Sequence, residues 1–354
     1  MREPPGTNRL GFIKGLATGA AASLTGCCGC GGTVKRPIVT YARGRCTVIS
    51  PLVREPMTFF LVGDTHMTVN DDRGNDYLKY TERMGGKRRE SKPETESFRQ
   101  TLAAASASKV DLVTLVGDQI SFPTWAGVEF MRRELDAAGV PWLYTSGNHD
   151  WHFEGMPGTE KDLRARYVKE ILAPMYPGVV DPLCFTRVVK GIRFVAIDDS
   201  TNEILPEQLD YWRKEVATGE PLVLVMHIPL YIPGYTVAEG DVGHPEWGAK
   251  TDPYYRIERR PQWPAGPSET TLAFRREVFA APNLLGVFAG HEHALEIGTS
   301  ETGVVQVVCD ANRAKAEHVS VRLLPAPVPN PPVTVLPPPA YAVACPVVAG
   351  RLTA

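Results

Sequence analysis

The sequence predicts an α/β fold. Between Met57 and about Leu323, short apolar runs alternate with segments of helical periodicity. The runs have the length of buried strands, and several stop at a glycine followed by a polar residue. Phe59-Phe60-Leu61-Val62 is the first run and ends at Gly63-Asp64. Residues 67–97 are polar and rich in Arg, Lys and Glu, as in a long loop. From Glu94 to Lys109, Phe98, Leu102 and Ala105 recur at helical spacing. Residues 111–116 form a second buried-strand run, and Val128 to Ala138 and Lys161 to Met175 read as helices. Phe185 to Val189 and Ile192 to Ile197 form a hairpin that turns at Lys190-Gly191. Pro206 opens a helix running to about Val216, because its missing N–H costs nothing in the first turn. Leu222 to Met226 and Leu284 to Phe288 are further strands, and Val304 to Val308 and Val319 to Leu323 alternate like closing ones.

The flanks read differently. Residues 27–55 lack sustained periodicity and are expected to be a tether into a folded domain spanning 56–323. Residues 231–268 interrupt that domain with Gly, Pro, Tyr, Trp and Arg, an insertion of the length that is usually functional or irregular. Eight of the fifteen residues from Pro325 to Pro339 are proline, which excludes a central strand and predicts an extended polyproline tail within 324–354.

With 43% apolar and 22% charged residues, the 354-residue chain has an ordinary globular composition. Its 38 basic and 40 acidic residues leave a net charge of -2, which argues against nucleic-acid binding by bulk charge. Residues 1–26 have the pattern of an export signal: Arg2, Arg9 and Lys14, then small and apolar residues from Gly15 to Thr25, too few to span a membrane. The segment TNRLGFIK resembles a twin-arginine signal with Leu10 in place of the second arginine. Leu24-Thr25-Gly26-Cys27 resembles a lipobox, so Cys27 is expected to be lipidated and the mature protein to lie in the periplasm or cell envelope. Cys28, Cys30, Cys46, Cys184, Cys309 and Cys345 remain, and an exported protein could pair them.

Five apolar runs end in side chains able to bind metal: Asp64-Thr65-His66, Gly117-Asp118, Gly147-Asn148-His149-Asp150, His227, and Gly290-His291-Glu292-His293. In open α/β sheets, ligands bind at the carboxyl ends of strands, so the five ends could converge on one site. On a strand, Asp64 and His66 would share one side, as would His291 and His293, with Glu292 facing away. Imidazole, carboxylate and amide oxygen together suit Fe, Zn or Mn.

This ordered set resembles the calcineurin-like metallophosphoesterase superfamily, over about Met57 to Leu323. The resemblance implies a four-layer αββα sandwich of two mixed β-sheets flanked by helices. It also implies two metal ions. Asp64, His66 and His293 would hold the first, Asn148, His227 and His291 the second, and Asp118 would bridge them. His149 would be the acid assisting the leaving group, and Asp150 would orient its imidazole. The activity implied is hydrolysis of phosphomonoesters or phosphodiesters by in-line attack of a metal-bridging hydroxide; paired ions lower the pKa of water and grip the phosphoryl oxygens.

Two other readings stand beside it: a non-catalytic, envelope-tethered metal-binding protein, and a hydrolase of phospholipid headgroups or other phosphoanhydrides. The partner expected is thus a small-molecule or lipid phosphate ester. Several residues outside the five blocks also draw notice. Trp151 suggests a pocket wall and His152 a structural or peripheral role. His244 reads as an exposed loop residue. Tyr254, Tyr255, Arg256, Arg259 and Arg260 could hold an anionic substrate or form a solvated loop. Asp198 and Asp199 end the Ile192 strand and could approach the site, but they read as caps of a loop.

Overall fold

The computed structural model describes residues 36–42, 44–71, 73, 89–90, 92–152, 158–234, 241–245 and 267–327. Residues 1–26, expected to be an export signal, Cys27, the residues beyond 327 and most of the insertion, including Tyr254 to Arg260, lie outside these residues.

Two six-stranded sheets stack face to face. In the first, β1 (Ile38–Ala42) pairs antiparallel with β2 (Arg45–Ser50), and β2 pairs parallel with β14 (Val319–Pro325). Next come β3 (Met57–Val62), antiparallel to β14, then β6 (Leu112–Val116) and β7 (Trp142–Thr145), both parallel to β3. The second sheet runs from β12 (Glu296–Thr299) through β13 (Val305–Val308), β11 (Leu284–Ala289), β10 (Leu222–Val225) and β9 (Ile192–Ile197) to β8 (Cys184–Val189). There β9, β10, β11 and β13 are mutually parallel, while β8 and β12 are antiparallel edges. A small ribbon pairs β4 (Val69–Asn70) with β5 (Arg89–Glu90).

Strand alternation explains the layers. Phe59 and Leu61 face the second sheet, while Phe60 and Val62 face the helices, so β3 is apolar on both sides. The Phe59 ring meets Phe194 and Phe288 edge-on, with centroids 5.2 and 5.1 Å apart, and ties the sheets together. Helices Lys92–Ala107, Trp125–Ala138 and Glu160–Tyr167 cover the outer face of the first sheet. Helices Pro206–Ala217 and Glu269–Ala280 cover that of the second. The result is the four-layer αββα sandwich.

Two expectations change, and one open possibility narrows. The tether reading ends at residue 38, because β1 and β2 belong to the first sheet; β2 alternates Cys46 and Val48 inward with Arg45 and Thr47, a half-buried pattern too polar to stand out. The helix expected from Lys161 to Met175 widens into a π-turn at Val168–Leu172 and tightens into a 3₁₀ turn at Ala173–Met175, with Pro174 at the join. Cys46, Cys184 and Cys309 are buried thiols, so no disulfide forms among the described residues. The hairpin of β8 and β9 and the proline-initiated helix match their expected positions.

Candidate metal centre

The parallel strands deliver their polar residues at one end of the sandwich. Asp64 and His66 follow β3, Asp118 follows β6, Asn148 follows β7, His227 follows β10, and His291 and His293 follow β11. None of these residues lies within a strand, so strand alternation is not what aligns them. Asp64 (φ 55°), His66 (φ 50°), Asp118 (φ 50°), His291 (φ 76°) and His293 (φ 51°) are left-handed instead. Each such non-glycine residue costs about 1 kcal/mol or more, and strain gathered on five donors marks a functional site. Tight packing also dictates the neighbouring glycines. At Gly117 (φ +77°) a Cβ would lie 2.5 Å from His227 Nδ1, and at Gly147 it would overlap the Asp118 carboxylate.

All seven expected ligands meet. His66 Nε2 lies 2.9 Å from His293 Nε2, and Asp64 Oδ1 stands 3.4 Å from His293 and 3.8 Å from His66. On the other side, His227 Nε2 lies 3.2 Å from Asn148 Oδ1 and 3.2 Å from His291 Nδ1. Asp118 Oδ2 stands between the two groups, 3.8 Å from His66 Nε2 and 3.3 Å from His227 Nε2. The outer contacts aim these donors. His227 Nδ1–H donates to the Val116 carbonyl at 2.8 Å, leaving Nε2 to face inward. Asp64 Oδ2 accepts from His291 N at 2.7 Å, and Asp118 Oδ1 from His149 N at 2.8 Å.

The residues fit a pair of cations. Asp64 Oδ1 is buried and receives no well-directed hydrogen bond, and nitrogen lone pairs converge on the same space as carboxylate oxygens. Burial pushes His66 and His291 well below the ordinary imidazole range despite Asp118, which leaves them neutral, the form that binds metal. Burial would also lower His227, but the adjoining Asp118 carboxylate overrides it and holds this imidazole well above its usual range. In return, His227 and His149 outweigh the burial of Asp118 and keep it well below the carboxylate range. The clusters Asp64–His66–His293 and Asp118–His227–His291 each have metal-ligand spacing.

His149 sits where an acid is expected, its ring edge-on to His66 with centroids 4.9 Å apart. It also groups with His66 and Asp118, and its Nδ1 is buried with no hydrogen bond. The expected contact between Asp150 and that imidazole is not formed. The Asp150 oxygens instead accept from Gly147 N at 2.8 Å and Ile120 N at 3.0 Å, bracing the turn that carries Asn148 and His149.

Other polar groups support the centre from behind, and the sequence hinted at them only faintly. Asp199 accepts from His227 N at 3.0 Å and from Ile228 N at 3.1 Å, and Asp198 joins Ser146, Ser200 and Arg164. Their signal was that they end an apolar strand, as the ligands do. Asn312, fully buried, gives its backbone N–H to Gly63 O at 2.9 Å. Thr65 donates to Gln119 Oε1 at 3.0 Å. Trp151 is no pocket wall: it is fully buried in the helical layer and donates to Ser200 Oγ at 2.8 Å. His152 is buried against the Asn148 carbonyl, and His244 packs edge-on against Tyr231. Glu292 acts electrostatically on buried Asp241, outside the donor set.

The family model described as calcineurin-like phosphoesterase matches residues 57–295. Among solved structures, a dimetal phosphatase from Danio rerio is 14% identical, with 78% of this chain and 94% of that chain covered and a TM-score of 0.49. A purple acid phosphatase from yellow lupin (Lupinus luteus) seeds is 15% identical, with 80% of this chain and 48% of that chain covered and a TM-score of 0.45. No curated protein matches the chain significantly. The family match spans well over half the chain and contains all five polar blocks: the chain belongs to the calcineurin-like phosphoesterase family and is a metal-dependent phosphoesterase.

Proposed function

We propose that the chain hydrolyses phosphomonoesters or phosphodiesters at a dinuclear centre. The observation that supports this is the position of Asp118 between two inward-facing donor groups, with His149 beside it. Asp64, His66 and His293 would hold one ion, Asn148, His227 and His291 the other, and Asp118 both. When bound, two ions of Fe, Mn or Zn type supply charge for the phosphoryl oxygens and make a water more acidic.

The chain's own residues do the rest. His149 donates a proton to the departing oxygen, its backbone being held by the hydrogen bond to Asp118. Asp150 acts through the backbone, fixing the turn from which His149 projects. Asp118 needs both oxygens: Oδ1 orients the His149 turn while Oδ2 faces the donors.

The substrate class is a small-molecule or lipid phosphate ester, met outside the cytoplasm. The export-like residues 1–26 and the lipobox-like Leu24 to Cys27 support this placement, and N-terminal mass spectrometry tests it; an unmodified Cys27 in the mature protein rules out the anchor.

To test the activity, bound metals are counted and turnover of an aryl phosphomonoester and an aryl phosphodiester is measured. His149→Ala should keep its metals and lose about 10²- to 10⁴-fold in rate, the usual contribution of a general acid. Asp118→Asn should lose metal and rate together. A wild-type protein with metals bound but no turnover of either ester defeats the proposal.

A further inference from the structure

Beyond β13 the chain turns back across the carboxyl end of β3. Ala311 bridges to Gly63, and Asn312 N–H donates to Gly63 O at 2.9 Å, immediately before the ligand Asp64. The Asn312 side chain is anchored too: Nδ2 donates to Thr101 Oγ1 and to the Glu317 carbonyl, both at 2.7 Å. Arg313 therefore leaves from a fixed point at the edge of the metal centre.

The Arg313 side chain is 59% exposed, and its contact with Glu94 is long, 3.8 Å. Such a pair is worth little to stability and leaves the guanidinium free to bind something else. The backbone anchor of this segment, Gly63, directly precedes Asp64, which shares one donor group with His66 and His293. The His293 side chain is itself 42% exposed, so this group forms the solvent-facing rim of the site. The rim thus carries a cation that belongs to neither donor group.

We infer that Arg313 binds a second anionic group on the substrate, a carboxylate or phosphate lying beyond the scissile phosphorus. The reading rests on the phosphoesterase activity proposed above. The reacting phosphate belongs among the inward-facing donors, whereas Arg313 is anchored outside them and exposed. A guanidinium presents a planar fork that matches a carboxylate or phosphate with two parallel hydrogen bonds. Preferred substrates are accordingly phosphate esters with two anionic centres, one at the metals and one at the rim.

Binding of non-hydrolysable ligands tests this apart from turnover. Titration calorimetry on the metal-loaded full chain compares phenylphosphonate with 4-carboxyphenylphosphonate. Wild type should favour the carboxylated ligand by about tenfold, the scale of one hydrogen bond to a charged group. Arg313→Ala should abolish the preference by weakening only that ligand, and Arg313→Lys should keep part of it. Because Arg313 is exposed, the variants should melt within a degree or so of wild type. No preference in wild type, or equal weakening of both ligands in Arg313→Ala, overturns the inference. Turnover of phenyl phosphate and of an aryl phosphodiester is scored separately: absence of both from a protein that retains the binding preference sinks the hydrolase reading and leaves the Arg313 subsite standing.

Discussion

Replacing Asp199 with alanine should damage the centre without touching a metal ligand. The Asp199 carboxylate is fully buried and accepts from two backbone N–H groups, His227 N at 3.0 Å and Ile228 N at 3.1 Å. Neither donor can turn to solvent, since His227 and Ile228 are buried as well. A buried donor left without a partner costs about 1–3 kcal/mol, so two cost about 2–6 kcal/mol. At about 2 °C per kcal/mol for a domain of this size, the melting temperature should fall by roughly 4–12 °C. The same loss releases the backbone that aims His227, so the metal content should fall from two ions towards one. Asp199→Asn keeps an acceptor oxygen for the two donors and should lie between the variant and wild type. Thermal unfolding followed by circular dichroism, with elemental analysis of the same samples, reads both effects. A melting point within 1 °C of wild type and two retained ions in the alanine variant would refute the reasoning.

Three further outcomes follow from the geometry. Gly147→Ala places a methyl group against the Asp118 carboxylate and its backbone N, so it should abolish metal binding and most activity, as elemental analysis and aryl phosphate turnover would register. Asp241, with burial as the main cause and Glu292 and Glu296 adding to it, has its pKa raised to about 9, so the folded state holds this proton more tightly than the unfolded chain. The stability it lends is complete below about pH 4 and is lost as pH rises towards 9, at up to about 1.4 kcal/mol per pH unit. Melting curves from pH 5 to 9 should therefore fall less steeply for Asp241→Asn than for wild type. Chelation should lower the melting temperature, and restoring Mn or Zn should recover it, because ions that bind only the folded chain stabilise it by mass action.

The candidate donors stand out in the sequence because each follows an apolar run, and their division between two ions is what the family resemblance implies. A buried strand must stop somewhere, and five stops that supply imidazole, carboxylate or amide have few other uses. Convergence at the carboxyl ends of the strands matches expectation, but the pairs Asp64 with His66 and His291 with His293 are aligned by left-handed turns rather than by strand alternation, a conformation that residue type alone does not announce. Asp150 shows the same limit: its place beside His149 does not tell which way the carboxylate faces, and it faces Ile120 N and Gly147 N. Asn312 and Arg313 were invisible because their importance comes from Gly63, some 250 positions earlier, through a backbone hydrogen bond. The sheet strands at residues 38–50 were missed because an outer strand with one solvated face needs few apolar residues.

Each donor group draws on both halves of the sandwich. Asp64 and His66 hang from the first sheet and His293 from the second; Asp118 and Asn148 hang from the first, His227 and His291 from the second. A cation in either position is thus a rivet between two plates that otherwise adhere through apolar side chains. Stripping the ions should loosen that seam first, and amide exchange at Ile120, His149, His227 and His291 should quicken well before the strands themselves open.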